Sequence, residues 1–281
     1  MITMESWVYS MDIDIKNINV EKILFSGSCF RSIKEEDGSI TNILDDRVIN
    51  IKQDGNIIHV LSNNYKGLKD KIYEYFDLNR DYELINKELI DNNKDLEEMI
   101  NLCKDYRILN QNPFEMSISY IISQNNSVKK ISSCVEKISK LYGNKIIFND
   151  KEYYLFPNYE QLKNVSAEEF RKIGVGFRDK YIRNYLDYYN ELLELDKMDT
   201  SDALEKLMNV KGIGLKVASC ILLFGYKRLD VFPIDTWVKK YISDNYNIKN
   251  DQKSIENFAK NNFKEYSGLV IQYMFHSKRN N

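Results

Sequence analysis

The alternation of apolar and polar positions changes period near residue 65. Between Val8 and Ser62, short alternating or apolar runs are separated by the turn signals Glu36-Asp37-Gly38 and Asp54-Gly55-Asn56. The second of these lies between Val48-Ile49-Asn50-Ile51 and Ile57-Ile58-His59-Val60. A period of two interrupted by Asp-Gly predicts paired strands, so this region reads as an antiparallel sheet. Past Tyr65 the apolar positions recur three and four apart, as in Leu68, Ile72, Tyr75 and Phe76, then Leu96, Met99, Ile100 and Cys103. That is the spacing of one helix face. Helices are predicted from Pro113 to Ser123, Val128 to Leu141, Ala167 to Ile173, Arg178 to Leu195 and Ala203 to Met208, and the remainder reads as almost wholly helical. Pro113 suits the first position of a helix, which sets a domain boundary near Asn110 to Asn112. The fold class is therefore α+β: residues 1–110 form an N-terminal antiparallel sheet with helices, and residues 111–281 a mostly helical domain.

Composition adds limits. A chain of 281 residues suffices for two domains that each bury a core. Its 40 Lys and Arg against 42 Asp and Glu give a formal charge of -2, so any nucleic-acid-binding charge must be local. Cys29, Cys103, Cys134 and Cys220 show no paired spacing, which suggests neither a disulfide framework nor a zinc or iron-sulfur site. A reducing cytoplasm is expected. No run approaches the roughly eighteen apolar residues of a membrane span, and the N-terminus lacks a signal peptide pattern, so a soluble, unexported protein with no membrane partner is expected.

The most informative stretch runs from Leu207 to Tyr241. Val210-Lys211-Gly212-Ile213-Gly214-Leu215-Lys216 joins an amphipathic helix to the apolar run Val217 to Phe224. Gly212 and Gly214 at a helix N-terminus leave unpaired amides and the positive dipole end facing outward, which suits a phosphate. Lys206, Lys211, Lys216, Lys227, Arg228, Lys239 and Lys240 face only Asp230 and Asp235 here, so this arm is basic. Each feature has an ordinary reading. The glycines make a tight turn, Lys216 is a solvated first-turn lysine, and Asp235 before Thr236-Trp237-Val238 is a helix N-cap.

Taken in order, the hairpin, Lys216 and Pro233-Ile234-Asp235 resemble the helix-hairpin-helix glycosylase superfamily in its lysine-bearing, lytic branch. No cysteine cluster follows Asp235, which separates the chain from the iron-sulfur branch, and Lys216 separates it from the alkylation-damage branch. The chain is similar to the 8-oxoguanine DNA glycosylase family, bacterial type, and Ser26-Gly27-Ser28-Cys29-Phe30-Arg31 extends the likeness to the N-terminal sheet. The resemblance implies base excision from duplex DNA carrying oxidised guanine, with strand cleavage at the abasic site. It implies a bacterial, cytoplasmic monomer that needs no cofactor, with a structural cation on the hairpin as an option. The chemistry asks for an uncharged amine, which a lysine supplies when desolvated beside other cations. It also asks for a carboxylate aimed at a sugar that gains positive charge. Lys216 and Asp235 are the candidates.

A flipped base needs a wedge and readers for the base left behind. Asn125 and Asn126 match the family's paired asparagines, or cap a helix. Gly174-Val175-Gly176-Phe177-Arg178 resembles the family's turn in which an aromatic wedges and an arginine reads cytosine. Lys130 stands where many relatives carry a second cytosine-reading Arg, and Trp237 where some place a phosphate-binding His. For the lesion, Cys220 and Phe275 match the residues on either side of the purine, and Gly27 the glycine whose carbonyl accepts the extra N7 hydrogen of 8-oxoguanine. Each reads equally as packing or turn. Counted from Gly268, the family's base-reading Gln falls on Ile271, and Gln272 lies about 100° further round the helix. Either a bulge turns Gln272 into the pocket, or Ile271 faces the purine. The second is preferred.

Overall fold

The computed structural model describes residues 8–279. Strands β1 (Tyr9–Asp14), β2 (Ile33–Lys34), β3 (Ile40–Leu44), β4 (Arg47–Asp54) and β5 (Ile57–Ser62) form one antiparallel sheet in the order β1-β5-β4-β3-β2. The turn foreseen at Asp54-Gly55-Asn56 closes the β4–β5 hairpin, with Asp54 opposite Ile57 and Ile51 opposite Val60. Gly55 takes the left-handed backbone, φ 57°, that such a turn requires. Alternation puts Ile49, Ile51, Ile58 and Val60 inside. Helix α1 (Val20–Leu24), which the alternating pattern concealed, sits between β1 and β2, capped by the Asn19 side chain.

After the sheet come α2 (Leu68–Tyr75), α3 (Tyr82–Asn92), α4 (Glu97–Cys103), α5 (Pro113–Ser123) and α6 (Val128–Tyr142). Here the almost wholly helical reading needs correction. Strands β6 (Lys145–Phe148) and β7 (Lys151–Tyr154) form a second hairpin. Its signal was present in Asn149-Asp150, which both take positive φ (50° and 58°) between apolar runs. Then follow α7 (Tyr159–Leu162), α8 (Ala167–Ile173), α9 (Asp179–Tyr188), α10 (Thr200–Met208), α11 (Leu215–Gly225), α12 (Thr236–Tyr246), α13 (Gln252–Asn262) and α14 (Ser267–Arg279). The single helix expected from Arg178 to Leu195 ends at Tyr188 and gives way to short 3-10 turns. The one expected at Ala203 begins three residues earlier, where Asp199 accepts the Asp202 amide.

Helices α5 and α11 pack side by side at the centre. Nearly every residue of α5 and the last nine of α11 are buried, as expected of helices apolar all round. They approach closely where Gly225 faces Pro113. A Cβ on Gly225 would lie 3.0 Å from the proline Cα. Most buried apolar side chains of sheet and helices form one core shared by both halves of the chain, with a small cluster of Ile43, Val48, Phe148 and Tyr153 apart from it, and α14 helps explain the shared core. It returns to the first half of the chain, where Tyr273 Oη donates to Asn86 Oδ1 on α3 (2.8 Å) and the Tyr273 carbonyl accepts from Cys103 Sγ on α4 (3.6 Å).

Candidate active site

A cavity of about 150 Å³, of the order of one purine, opens among α5, α11, the loop before α12, α14 and the turn after α1. Ser26, Gly27, Ser28, Tyr120, Lys216, Cys220, Phe224, Pro233, Asp235, Gln272 and Phe275 line it. Seven residues selected from the sequence thus meet across nearly 250 positions of chain. A larger cleft of 590 Å³ lies at the opposite ends of α5 and α11, around Pro113 and Gly225 to Lys227. It holds neither the lysine nor the aspartate, and size alone does not make it the site.

Three of the lining residues, Lys216, Cys220 and Phe224, stand four apart on α11 and form one stripe along it. Lys216 is half-buried. Its Nζ lies over the Tyr120 ring, 5.8 Å from the centroid, and its charge acts on the Cys220 thiol. Burial pushes that thiol up; the Lys216 ammonium opposes this and the Asp235 carboxylate reinforces it, so Cys220 is an apolar neighbour rather than a thiolate. The neighbours of Lys216 are therefore a ring, a thiol and a carboxylate. The clustered cations expected around it do not appear among the residues lining the cavity, because the other lysines of this arm point elsewhere. Asp235 caps α12, its Oδ1 accepting the Val238 amide at 2.8 Å, so the ordinary reading holds alongside the cavity position. The cap fixes the carboxylate rigidly at the rim.

The opposite wall is the Ser26–Ser28 turn. Gly27 has φ 96°, a left-handed value that a side chain would strain. Ser26 Oγ meets Ser28 Oγ at 2.7 Å, and Gln111 Nε2 donates to the Ser28 carbonyl at 3.0 Å. Two residues on, Cys29 Sγ lies 3.5 Å from Tyr75 Oη. Arg31 donates to the Tyr154 carbonyl and pairs with Glu136 (3.6 Å) and Glu115 (4.0 Å). Burial pushes Glu115 up to about 7, with the Arg31 charge opposing.

Helix α14 settles the register left open by the sequence. Gln272 and Phe275, three apart, line the cavity. Ile271, preferred above as the residue facing the purine, is instead fully buried in the core with Val270, Tyr273 and Met274. The reason is packing: the Tyr273 contacts with α3 and α4 fix the helix so that its most apolar side turns inward, and no bulge is needed because α14 is continuous. Phe275 stacks on Trp237 (centroids 4.4 Å apart, 26° between planes), and the Lys278 ammonium lies 5.2 Å from the Trp237 ring centroid. Trp237 thus extends the aromatic wall of the cavity.

A second group forms a ridge beyond the cavity. Phe177 is 53% exposed, its ring supported by the edge of Tyr181 at 5.8 Å and the Arg178 guanidinium at 4.4 Å. Asn125 and Lys130 are also exposed, with Asn125 in the left-handed region (φ 48°), while Asn126 is half-buried and donates to the Ile122 carbonyl at 3.1 Å. The picture of Arg178 as a presented cytosine reader requires correction. It is only 7% exposed, and its guanidinium donates to the carbonyls of Gln124 (2.8 Å), Asn125 (2.8 Å) and Val175 (3.0 Å). Carbonyls left over past the end of α5 need donors, and a planar five-donor fork meets them. Lys130 stands by Gly174, where an added Cβ would come 3.0 Å from its Nζ.

The hairpin between α10 and α11 adjoins this ridge. Gly212 has φ 105°, and a Cβ there would lie 2.2 Å from Tyr181 Cγ. Gly214 has an extended φ of -95° and caps α11 without a side chain; an added Cβ would meet nothing within 4 Å. Among the described residues no neighbour crowds that position, so the first-turn amides are open to close approach by a ligand. The carbonyls of Val210, Lys211 and Gly212 accept from Ile213 N, Asn184 Nδ2 and Gln124 Nε2. Among the described residues no His, Cys, Asp and Glu side chains gather in threes as metal ligands would. Tyr120, Gln124 and Tyr181 escaped the sequence reading. Tyr120 stands four residues before Gln124 on the apolar α5, with nothing local to single it out.

Comparison with known proteins places these features. Residues 10–116 match the 8-oxoguanine DNA glycosylase N-terminal domain, and residues 118–265 match the HhH-GPD superfamily of base excision DNA repair proteins. The chain is 32% identical over 238 residues to a probable N-glycosylase/DNA lyase of Methanothermobacter thermautotrophicus, covering 76% of each. Among solved structures it is similar to MBOgg1 in complex with a low-affinity DNA ligand (TM-score 0.90, 34% identity, 99% of both chains). It is also similar to the Clostridium acetobutylicum 8-oxoguanine glycosylase/lyase bound to duplex DNA with cytosine opposite 8-oxoguanine (TM-score 0.89, 32% identity, 98% of both chains).

Proposed function

Since the chain belongs to the 8-oxoguanine DNA glycosylase family of the HhH-GPD base excision repair superfamily, we propose that Lys216 and Asp235 carry its reaction. The protein is a bifunctional DNA glycosylase and AP lyase that removes 8-oxoguanine, opposite cytosine, from duplex DNA. One observation supports the residue assignment above the others: Lys216 and Cys220 on α11, Asp235 at the start of α12, Gly27 after α1 and Phe275 on α14 meet at one base-sized cavity.

With the nucleotide everted into this cavity, the neutral Lys216 amine attacks C1′. The purine departs with the electron pair of the glycosidic bond and takes up a proton. Asp235, held by its cap, stabilises the positive charge that grows on the sugar, a stabilisation larger in the transition state than before it. Ring opening of the lysine-bound sugar leaves a Schiff base, and loss of a C2′ proton expels the 3′ phosphate as the C3′–O bond breaks. Selection for the oxidised base is assigned to Gly27, and the hold on the purine's Watson-Crick edge, which guanine and 8-oxoguanine share, to Gln272. A carbonyl at Gly27 accepts the N7 hydrogen of 8-oxoguanine, and guanine offers only a lone pair there, which leaves a buried acceptor unpaired. No step is routed through a cation on the hairpin. Four buried free thiols suit the reducing cytoplasm of a bacterial cell, where the chromosome is the substrate. None of the helices is long and apolar enough to cross a membrane among the described residues.

Borohydride reduction during turnover on an 8-oxoguanine duplex tests this reading. The expected result is a covalent protein–DNA adduct from the native protein and none from Lys216→Gln, which also loses base release. An undiminished adduct in that variant would move the nucleophile elsewhere.

A further inference from the structure

The lining of the cavity includes a buried aromatic that the reaction above does not use. Tyr120, on α5, is 5% exposed and held on two sides. Its ring lies parallel to Phe224 (5.4 Å, 9°) and meets Phe30 edge-on (5.7 Å, 70°). Phe224 belongs to the same α11 stripe as Lys216 and Cys220, so the Tyr120 ring spans that stripe from its aromatic end to its charged end. The Lys216 ammonium lies over it, 5.8 Å from the centroid. No carboxylate pairs with Lys216 within 4.0 Å among the described residues. The ring is thus a charge-stabilising neighbour that Lys216 has in the cavity wall without an ion pair, beside the neutral Cys220 thiol.

The geometry points to Tyr120 as a positioning residue for the nucleophile: its negative ring face keeps the Lys216 side chain inside the cavity, at the level of the reacting sugar, before and between proton transfers. A lysine side chain is a point charge on a flexible four-carbon stem, and at the mouth of a cavity water competes for it. A carboxylate partner would hold the chain by hydrogen bonds that retain the proton the reaction has to remove. A ring holds the charge through its quadrupole and offers no lone pair in that role. Once the proton has gone the attraction fades, and the free amine is left beside C1′. The hydroxyl has no part in this. Burial holds it well above its ordinary range, so it stays neutral.

This inference rests on Lys216 being the nucleophile, and its test is arranged so that the two fail separately. Single-turnover borohydride trapping is measured on a duplex that already carries an abasic site, which removes base recognition from the rate. Duplex affinity is measured in parallel. Tyr120→Phe is expected to trap within twofold of the native rate, and Tyr120→Leu about tenfold more slowly, with duplex affinity unchanged. Because leucine alters a packed site, a second series places phenylalanines of increasing fluorination at position 120. These keep the shape of the ring and drain its negative face, and the trapping rate is expected to fall stepwise with each fluorine. Equal rates across that series, or a Tyr120→Phe variant as slow as Tyr120→Leu, would overturn the positioning role and leave the nucleophile assignment intact. Adduct formation by Lys216→Gln would overturn the assignment itself.

Discussion

The cavity and the ridge beside it are built by opposite means. In the cavity most of the working side chains stand on helices whose other faces are locked in the core, Lys216, Cys220 and Phe224 on α11, Gln272 and Phe275 on α14, Tyr120 on α5, with Gly27 in a turn and Asp235 at a helix cap completing the wall. On the ridge they stand on turns with left-handed residues, Asn125 at φ 48° and Gly212 at φ 105°, held by polar braces such as Arg178 on three carbonyls and Gln124 on Gly212. Core packing fixes positions to fractions of an ångström, as bond rearrangement demands. Hydrogen-bonded turns fix a shape through a few polar contacts rather than through a packed core. The contrast predicts that substitutions in the cavity change rate with the fold intact, whereas those at the braced turns of the ridge change binding and stability together.

The sharpest case is Asp235→Asn. Asparagine caps a helix about as well as aspartate, so the melting temperature should stay within a degree or two, while base release falls by roughly two or more orders of magnitude. A variant that turns over normally would reduce Asp235 to its cap and remove the cavity side of the contrast. The two hairpin glycines test the other side. Gly212→Ala places a methyl against Tyr181 in a left-handed backbone, a strain of about 1 to 3 kcal/mol, and should lower both stability and duplex affinity. Gly214→Ala meets open space. It should leave stability within about 0.5 kcal/mol and weaken duplex binding by the worth of one hydrogen bond, about 1 kcal/mol. Equal melting points for the two variants would show that the hairpin is not braced as described. The smallest effect concerns α14. Gln272→Ala should weaken the hold on the everted 8-oxoguanine by roughly threefold, the low end of one lost hydrogen bond, with the preference over guanine unchanged because the two bases share a Watson-Crick edge, and Ile271→Val should leave that hold unchanged. A weaker hold with Ile271→Val alone would return the purine edge to Ile271.

Local chemistry made much of this legible. The β4–β5 hairpin followed from Asp54-Gly55-Asn56, and α5 from Pro113 as a first-turn proline, with both ends as read. The group at the cavity was legible because a lysine in the first turn of one helix and an aspartate capping the next are marked by Gly and Pro around them. Contacts that depend on the path of the chain could not be read. Arg178 and Gln124 are 54 residues apart, and no pattern near either tells whether the guanidinium turns inward. The face of α14 presented to the cavity depends on Tyr273 meeting Asn86, 187 residues away. Apolar Ile271 and polar Gln272 both lie within a turn of Phe275, and only that distant anchor decides between them. Tyr120 was hidden for a related reason: on a helix buried all round, period marks no special side.

The return of α14 to α3 and α4 also governs when activity first exists. A growing chain leaves the ribosome N-terminus first, and early portions fold as they emerge. The sheet, the hairpin, Lys216 and Asp235 are all synthesised before α14, yet the wall that carries Gln272 and Phe275 is absent until positions 267–279 are made. Tyr106 and Tyr273, ring centroids 6.4 Å apart, then close an early segment against the last helix. A reactive lysine is therefore not enclosed with its aspartate and base-stacking wall on an unfinished chain.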